Sequence, residues 1–392
     1  MQKLSRDFYL LLTARVVSVI GDTAALIALI FKVKEYGSWS TAALLAGAGI
    51  AMILTSIWVG KLVDKNSLKK ILVITSALQG LVCIALIYSN LLSVLLLNLL
   101  LGVGQSIVIA STGAWTPTLV AKESLGKAFG QMQVGLSLAG LAGYGIGGVL
   151  VGQFGITAAL LLDAASFFFL IPIFFIIKTD RIGAPEVDAK GKMKGGYKIV
   201  WSNYSLRNIA ITLTIFVTAL MIFNPLEVYL TTDILGADAT GYGIINMVWA
   251  GSLAVGSVVI TKLMKPSWGY AKPALIVCGL AGIFLAAIGL SPNLYFLAGA
   301  LALTGIVVAG FNIFIGPLIV SNSVESELGR VNATIGALSA AGSSIGTIIG
   351  GLLGNFLPIR SVIIGAGLLA ALTLIFTGKG MLAAEKKEDL LN

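Results

Sequence analysis

Histidine is absent from the 392 residues, and with it go imidazole metal ligation, Ser-His nucleophilic chemistry and the usual near-neutral proton switch. Charge is scarce as well. Only 11% of residues are charged against 57% hydrophobic, and the mean hydropathy is +0.99, a balance that excludes a water-soluble protein. The two cysteines, Cys83 and Cys278, lie far apart in apolar runs without CxxC spacing, which reads as small buried residues rather than a disulfide or metal pair. Proline is rare, at 9 residues against 47 glycines, which favours close-packed helices over disordered low-complexity sequence. No Gly-x4-Gly-Lys-Ser/Thr phosphate loop occurs, which argues against ATP drive within the chain.

What the chain does have is long apolar runs. A helix needs roughly 20 residues to cross hydrocarbon. The runs predict twelve spans, at Phe8–Val33, Thr41–Gly60, Ile71–Ser89, Leu91–Trp115, Lys127–Gln153, Ile156–Ile177, Leu206–Leu230, Gly241–Met264, Ala274–Leu290, Tyr295–Leu318, Val331–Phe356 and Ile359–Thr377. They lack the alternating polarity of barrel strands. The first run, about 25 residues, exceeds a signal-peptide core and is expected to be retained as a helix. Orientation follows from the basic residues. With both ends cytoplasmic, all but four of the 26 lysines and arginines fall inside, the exceptions being Lys32, Lys34 and Arg360 outside and Arg15 within the membrane. The net charge of +9 is then an orientation signal, with no nucleic-acid partner implied.

The longest polar stretch, Lys178 to Arg207, divides the chain near its middle. It predicts a six-helix half over 1–177, a cytoplasmic linker over 178–205 and a second six-helix half with a short cytoplasmic tail over 206–392. Gly183, Pro185, Gly191, Gly195 and Gly196 make the linker's first part flexible, and Tyr197, Ile199, Val200, Trp201 and Tyr204 suit a short interfacial helix. The halves repeat each other. Leu125-Gly126-Lys127 is followed by Gly143, Gly147 and Gly148, and Leu328-Gly329-Arg330 by Gly346, Gly350 and Gly351 at the same spacing. Two parallel halves of this kind are a transporter signature, with substrate bound between them near mid-membrane.

The loop Gly60-Lys61-Leu62-Val63-Asp64-Lys65 with Lys69 and Lys70 resembles the G-x-L-x-D-[RK] motif of the major facilitator superfamily, departing at Ser67 and Leu68. Gly21-Asp22, Trp115-Thr116-Pro117, Leu162-Asp163 with Ser166-Phe167, and Asn224-Pro225-Leu226-Glu227 are similar to the bacterial branch that holds macrolide efflux pumps and the enterobactin exporter. The resemblance covers nearly the whole chain. It implies an all-α polytopic membrane fold of twelve helices in two pseudo-symmetric halves. Two departures weaken a carry-over of proton antiport: Tyr144 and Thr347 stand where the antiporter motif has proline, and Asn98 where many proton-coupled members carry arginine.

Four ionisable residues lie inside spans, and each needs a partner, a wet cavity or a proton, because an unpaired charge at mid-bilayer costs about 2.5 kcal/mol or more. Asp22 is the leading candidate for proton coupling or cation binding, with a hydrogen bond to a neighbouring helix as the alternative. Asp163 is comparable in depth, and its place in span six favours a structural role. Glu227 follows a helix-breaking Asn-Pro and reads either as an outer-gate or cation-binding carboxylate or as a solvated interfacial group. Arg15, about 10.5 Å below Asp22 along the helix, is expected to snorkel inward or serve an inner gate. Arg15, Asn98, Gln105 and Asn312 are the substrate-cavity candidates, though the amides suit inter-helix hydrogen bonds equally. The motif implies a conformational latch at Gly60, Asp64, Lys65 and Lys69 between the cytoplasmic ends of the halves. The glycine rows are expected to pack the halves together, with gating added.

These readings converge on a secondary active exporter of an amphipathic small molecule, monomeric in the lipid bilayer of a bacterial inner membrane. It would use no cofactor and draw on the proton gradient. A facilitator, importer or lipid flippase of the same fold is the alternative, and nothing supports an enzyme. The latch expectation predicts that Asp64→Asn shifts the population towards inward-facing forms. Spin-label distances across the cytoplasmic ends that match those of the unaltered chain would refute it.

Overall fold

The computed structural model describes residues 4–181, 189–264, 269–324 and 327–386, and these are helical almost throughout. The helices are α1 Arg6–Val33, α2 Ser38–Lys65, α3 Leu68–Ile87, α4 Leu91–Leu119, α5 Leu125–Phe154, α6 Ile156–Ile176, α7 Ala189–Ser202, α8 Tyr204–Phe223, a short α9 Glu227–Tyr229, α10 Ala239–Leu263, α11 Ala271–Gly289, α12 Leu294–Ser321, α13 Leu328–Phe356 and α14 Ile359–Lys386. Eleven described stretches are long and apolar enough to cross a membrane, and Ile359–Thr373 within α14 is a shorter twelfth. Gly183 and Pro185 of the expected linker and Lys265 of the eighth-span loop lie outside the described residues.

Helix starts are written in short polar side chains that accept otherwise orphaned backbone N–H groups. Ser5 accepts from Phe8, Ser67 from Lys70, Asn90 from Ser93, Asn203 from Leu206 and Asn293 from Phe296. Gly155, at φ 81°, turns the chain from α5 into α6, a backbone conformation that other residues rarely adopt.

The chain divides into two units, Met1–Glu186 with Ala237–Met247, and Val187–Gly236 with Val248–Asn392. The first residues of α10 therefore group with the first unit. In that unit α1 lies against α5 and α6, α3 against α6, and α2 against α4; in the second, α8 lies against α13 and α14, and α11 against α12 and α14. The glycine rows explain the closest of these approaches, and against the expectation of packing between halves Gly143, Gly147, Gly346 and Gly350 meet helices of their own half. A β-carbon on Gly143 would sit 2.8 Å from Ile20 O, and one on Gly147 2.6 Å from Ala24 Cα, both on α1. Gly346 and Gly350 meet the backbone of Thr218 and Ile222 on α8 in the same way, so each row packs helices inside its own unit. Gly148 faces Ala239 and Gly243 of the α10 segment that belongs to the first unit, and Gly351 is buried on α13.

Polar contacts bind the ends of the first unit. Residues 177–181 form a strap: Asp7 Oδ2 accepts from the Lys178 and Thr179 backbone N–H groups at 3.1 and 3.0 Å, and the Trp115 indole donates to Thr179 O at 3.0 Å. Asp180 accepts from Ser67 Oγ and from the Lys69 backbone, and Lys69 Nζ reaches Ile177 O at 2.6 Å. Of the expected latch residues, Lys69 is thus engaged inside the first unit. Lys65 also has a partner, whereas half-buried Asp64 makes no hydrogen bond or ion pair among the described residues, and Gly60 faces open space. At the other end of this unit, Lys32 Nζ donates to Leu86 O and Ile87 O at the C-terminus of α3; in the second unit, Arg360 Nη1 donates to Gly289 O at the C-terminus of α11. Cations there offset the negative ends of the helix dipoles. In the second unit α7 presents the stacked, exposed Tyr197 and Trp201 rings 4.8 Å apart, while Gly196 lets it rest on Arg330 of α13.

Gly147→Leu forces α5 off α1 and is expected to lower thermal stability in detergent by an amount equivalent to about 1–3 kcal/mol. Gly140→Leu, on the same helix with no atom within 4 Å of the added carbon, should melt like the unaltered protein. Equal melting of the two variants would refute this reading of the row.

Candidate functional site

The site forms where α1 crosses α4 and α6. Gly21 makes the approach possible, since a β-carbon there would lie 2.6 Å from Asp163 Oδ1 and 2.5 Å from Ser166 Oγ. The next residue, Asp22, is half-buried, and its Oδ2 accepts from Gln105 Nε2 at 2.5 Å and from Ser18 Oγ at 3.3 Å. A carboxylate taken into an apolar bundle needs such donors. Gln105 comes from α4, which Gly102 allows to touch the backbone of α2 at Ala48.

Asp163 is only 1% exposed. Cys83 Sγ donates to its Oδ2 at 3.2 Å, and Ser166 Oγ donates to the Asp163 carbonyl at 2.8 Å and lies 3.4 Å from Oδ1. Asp22, Asp163, Asn98 and Gln105 line one pocket of about 280 Å³, whose remaining wall is largely apolar, from Leu26, Leu29, Met52 and Leu101. Asp163, expected to be mainly structural, lines the same space as Asp22, because the absence of a side chain at Gly21 lets span six bring its carboxyl there. Cys83, expected to be only a small apolar residue, is also a hydrogen-bond donor to that carboxyl.

Asn98 lines the pocket, but its Nδ2 donates to Leu44 O at 2.8 Å and ties α4 to α2. Arg15 is 7% exposed, with Nη1 buried and unpartnered. That corrects the expectation of snorkelling: the guanidinium stays in the bundle, with no hydrogen bond to Asp22. Glu227 and Asn312 belong to the second unit. Glu227 is 9% exposed and Oε1 has no partner, so it is no solvated interfacial group. Asn312 is exposed on α12 and makes no hydrogen bond among the described residues.

One polar residue escaped the sequence reading. Gln79 is buried with neither amide atom partnered, and Gly104 leaves room for its side chain beside α4. Its position one helical turn before Cys83 on α3 was the available signal. Among the described residues no group of three or more Cys, Asp and Glu side chains could hold a metal ion. The pocket instead offers two carboxyls, two amides and apolar walls, which suits holding and releasing a proton or a small cation.

The Major Facilitator Superfamily profile matches residues 11–291 and 209–388. The staphyloferrin B transporter of Staphylococcus aureus is 26% identical over 362 residues, covering 88% of this chain and 83% of that protein. The enterobactin exporter EntS of Shigella boydii is 24% identical over 363 residues, covering 89% and 85%. Among solved structures, a bacterial homologue of the iron transporter ferroportin in an inward-facing state aligns over 98% of this chain and all of its own, with a TM-score of 0.74 at 16% identity. A bacterial homologue of the lysosomal transporter Spinster, inward-facing and occupied, aligns over 98% of this chain and 99% of its own, with a TM-score of 0.77 at 11% identity.

Because Asn98 bonds a backbone carbonyl across a helix pair, Asn98→Leu removes one hydrogen bond between α4 and α2, a loss of about 0.5–1.5 kcal/mol. A lower melting temperature with unchanged substrate affinity is expected. Full stability with weakened substrate binding would instead make Asn98 a ligand-binding group.

Proposed function

The chain belongs to the major facilitator superfamily and is a multi-pass membrane transporter, and from that premise we propose that it exports an amphipathic small molecule by proton-coupled alternating access. Siderophores are the first class to test, since the named relatives are a staphyloferrin B transporter and an enterobactin exporter. The membrane is the cytoplasmic membrane of a bacterium, with both termini inside, and the working form is a monomer without cofactor.

One observation carries the coupling step: Asp22 holds its Gln105 and Ser18 partners in a pocket that Asp163 also lines. As a carboxylate, Asp22 is held by these two donors. Once protonated it no longer needs them, and one proton in the pocket removes the repulsion between two like charges in a low-dielectric space. Protonation from outside and release inside would then alternate with conformations in which Gln105 is bound or free. The apolar remainder of the pocket wall supports an amphipathic cargo over a sugar.

In proteoliposomes, Asp22→Asn is expected to abolish uphill transport driven by an imposed pH gradient, while folding, insertion and downhill exchange persist. Uphill transport at the unaltered rate would remove Asp22 from coupling. Transport that continues unchanged after a protonophore collapses the gradient would mark a facilitator instead.

A further inference from the structure

The second unit carries a buried polar pair that the coupling step at Asp22 does not use. The spanning stretch Tyr204–Ile234 is irregular at its end: α8 stops at Phe223, Asn224–Leu226 form a 3-10 turn, α9 holds three residues, and Leu230–Ile234 form a π turn. Pro225 supplies no N–H, so the carbonyl of Met221 loses its α-helical donor. Irregular backbone within a spanning segment is tolerated where it lines a site, and π turns recur at functional positions.

Two side chains within this break have no partner. Glu227 is 9% exposed with Oε1 unpaired, and Thr231 is 0% exposed with Oγ1 unpaired. Neither finds an ion pair or hydrogen bond elsewhere among the described residues. Thr231 is unusual here. Thr214, Thr218 and Thr232 on the same stretch each donate to the carbonyl four residues back, at 2.7, 2.7 and 2.8 Å. The corresponding carbonyl for Thr231 is that of Glu227, which already accepts from the Leu230 N–H. Residues four apart share a helix face, with β-carbons about 5–6 Å apart, so the free hydroxyl and the free carboxyl oxygen lie on one side of the break.

We propose that Glu227 and Thr231 form a binding site for a sodium-sized monovalent cation. The donors are oxygens only, which suits a hard cation and not a soft metal. A single carboxylate neutralises a single positive charge, whereas a divalent ion would leave net charge in the bundle. A bound cation also satisfies both unpaired oxygens at once, which an apolar surrounding cannot do. The transporter reading supplies the purpose of such a site, but the test is a binding measurement independent of proton coupling, so either idea can fail alone.

The full-length protein in detergent is melted in NaCl and in choline chloride at equal ionic strength. Sodium is expected to raise the melting temperature of the unaltered chain and of Asp22→Asn, and to have no effect on Glu227→Gln. Thr231→Val should raise the half-maximal sodium concentration about tenfold, with Thr231→Ser restoring it. Identical melting of the unaltered protein in the two salts would overturn the proposal, as would a sodium effect that survives in folded Glu227→Gln. If Thr231→Val fails to fold, a normal sodium response in Thr231→Ser supports the hydroxyl as a ligand, and loss of the response in that variant refutes it.

Discussion

Hydrocarbon offers a polar group nothing to bond, so each one that enters the membrane has to be met from within the protein or to meet a ligand. The interior of this molecule is arranged around that demand. Asp22 draws Gln105 from α4 and Ser18 from its own helix, and Asp163 draws Cys83 from α3. Those donors reach only because backbones come close, and the backbones come close because glycine stands at the crossings. Gly21 admits Asp163 and Ser166 to α1, and Gly102 admits α4 to α2. Removing the side chain at one position is thus what places the next residue, Asp22, beside Asp163.

The same demand separates residues at rest from residues that are waiting. Asn98, Lys32 and Arg360 have bonded backbone carbonyls, and their work is to join helices. Arg15 Nη1, both polar atoms of the Gln79 amide, Glu227 Oε1 and Thr231 Oγ1 are buried with nothing to bond. Under the alternating access proposed above, such groups would find their partners in another conformation. The strap of residues 177–181, by contrast, fastens the ends of α1, α3 and α4 with several hydrogen bonds.

Much of the fold was legible in the residues. Span positions follow from uninterrupted apolar runs, since about 20 residues are needed to cross the bilayer whatever their identity. Asp22 and Glu227 stood out because a carboxylate amid such runs is rare. The readings that failed concern direction. The glycine rows were assigned to a contact between halves, but spacing shows only that a helix has a small-residue face and not which helix meets it; Gly143 and Gly147 meet α1, Gly346 and Gly350 meet α8, and Gly148 meets α10. Arg15 was expected to reach for the surface, whereas its long side chain folds into the bundle. Gln79 was overlooked because an uncharged amide in an apolar run carries little signal in composition.

The sequence by itself determined that the chain lives in a membrane, that it repeats itself in two halves, and which few polar groups are placed where lipid forbids them. These are local matters of hydropathy, length and spacing. Tertiary structure decided which of those groups share a space: Asp22 with Asp163 and Gln105, Asp7 with Thr179, and Glu227 with its buried Oε1 unpartnered among the described residues. The physical reason is that a helix face is fixed by residues three and four apart, but its neighbour is chosen by backbone approach, and that depends on side chains absent from both partners at once.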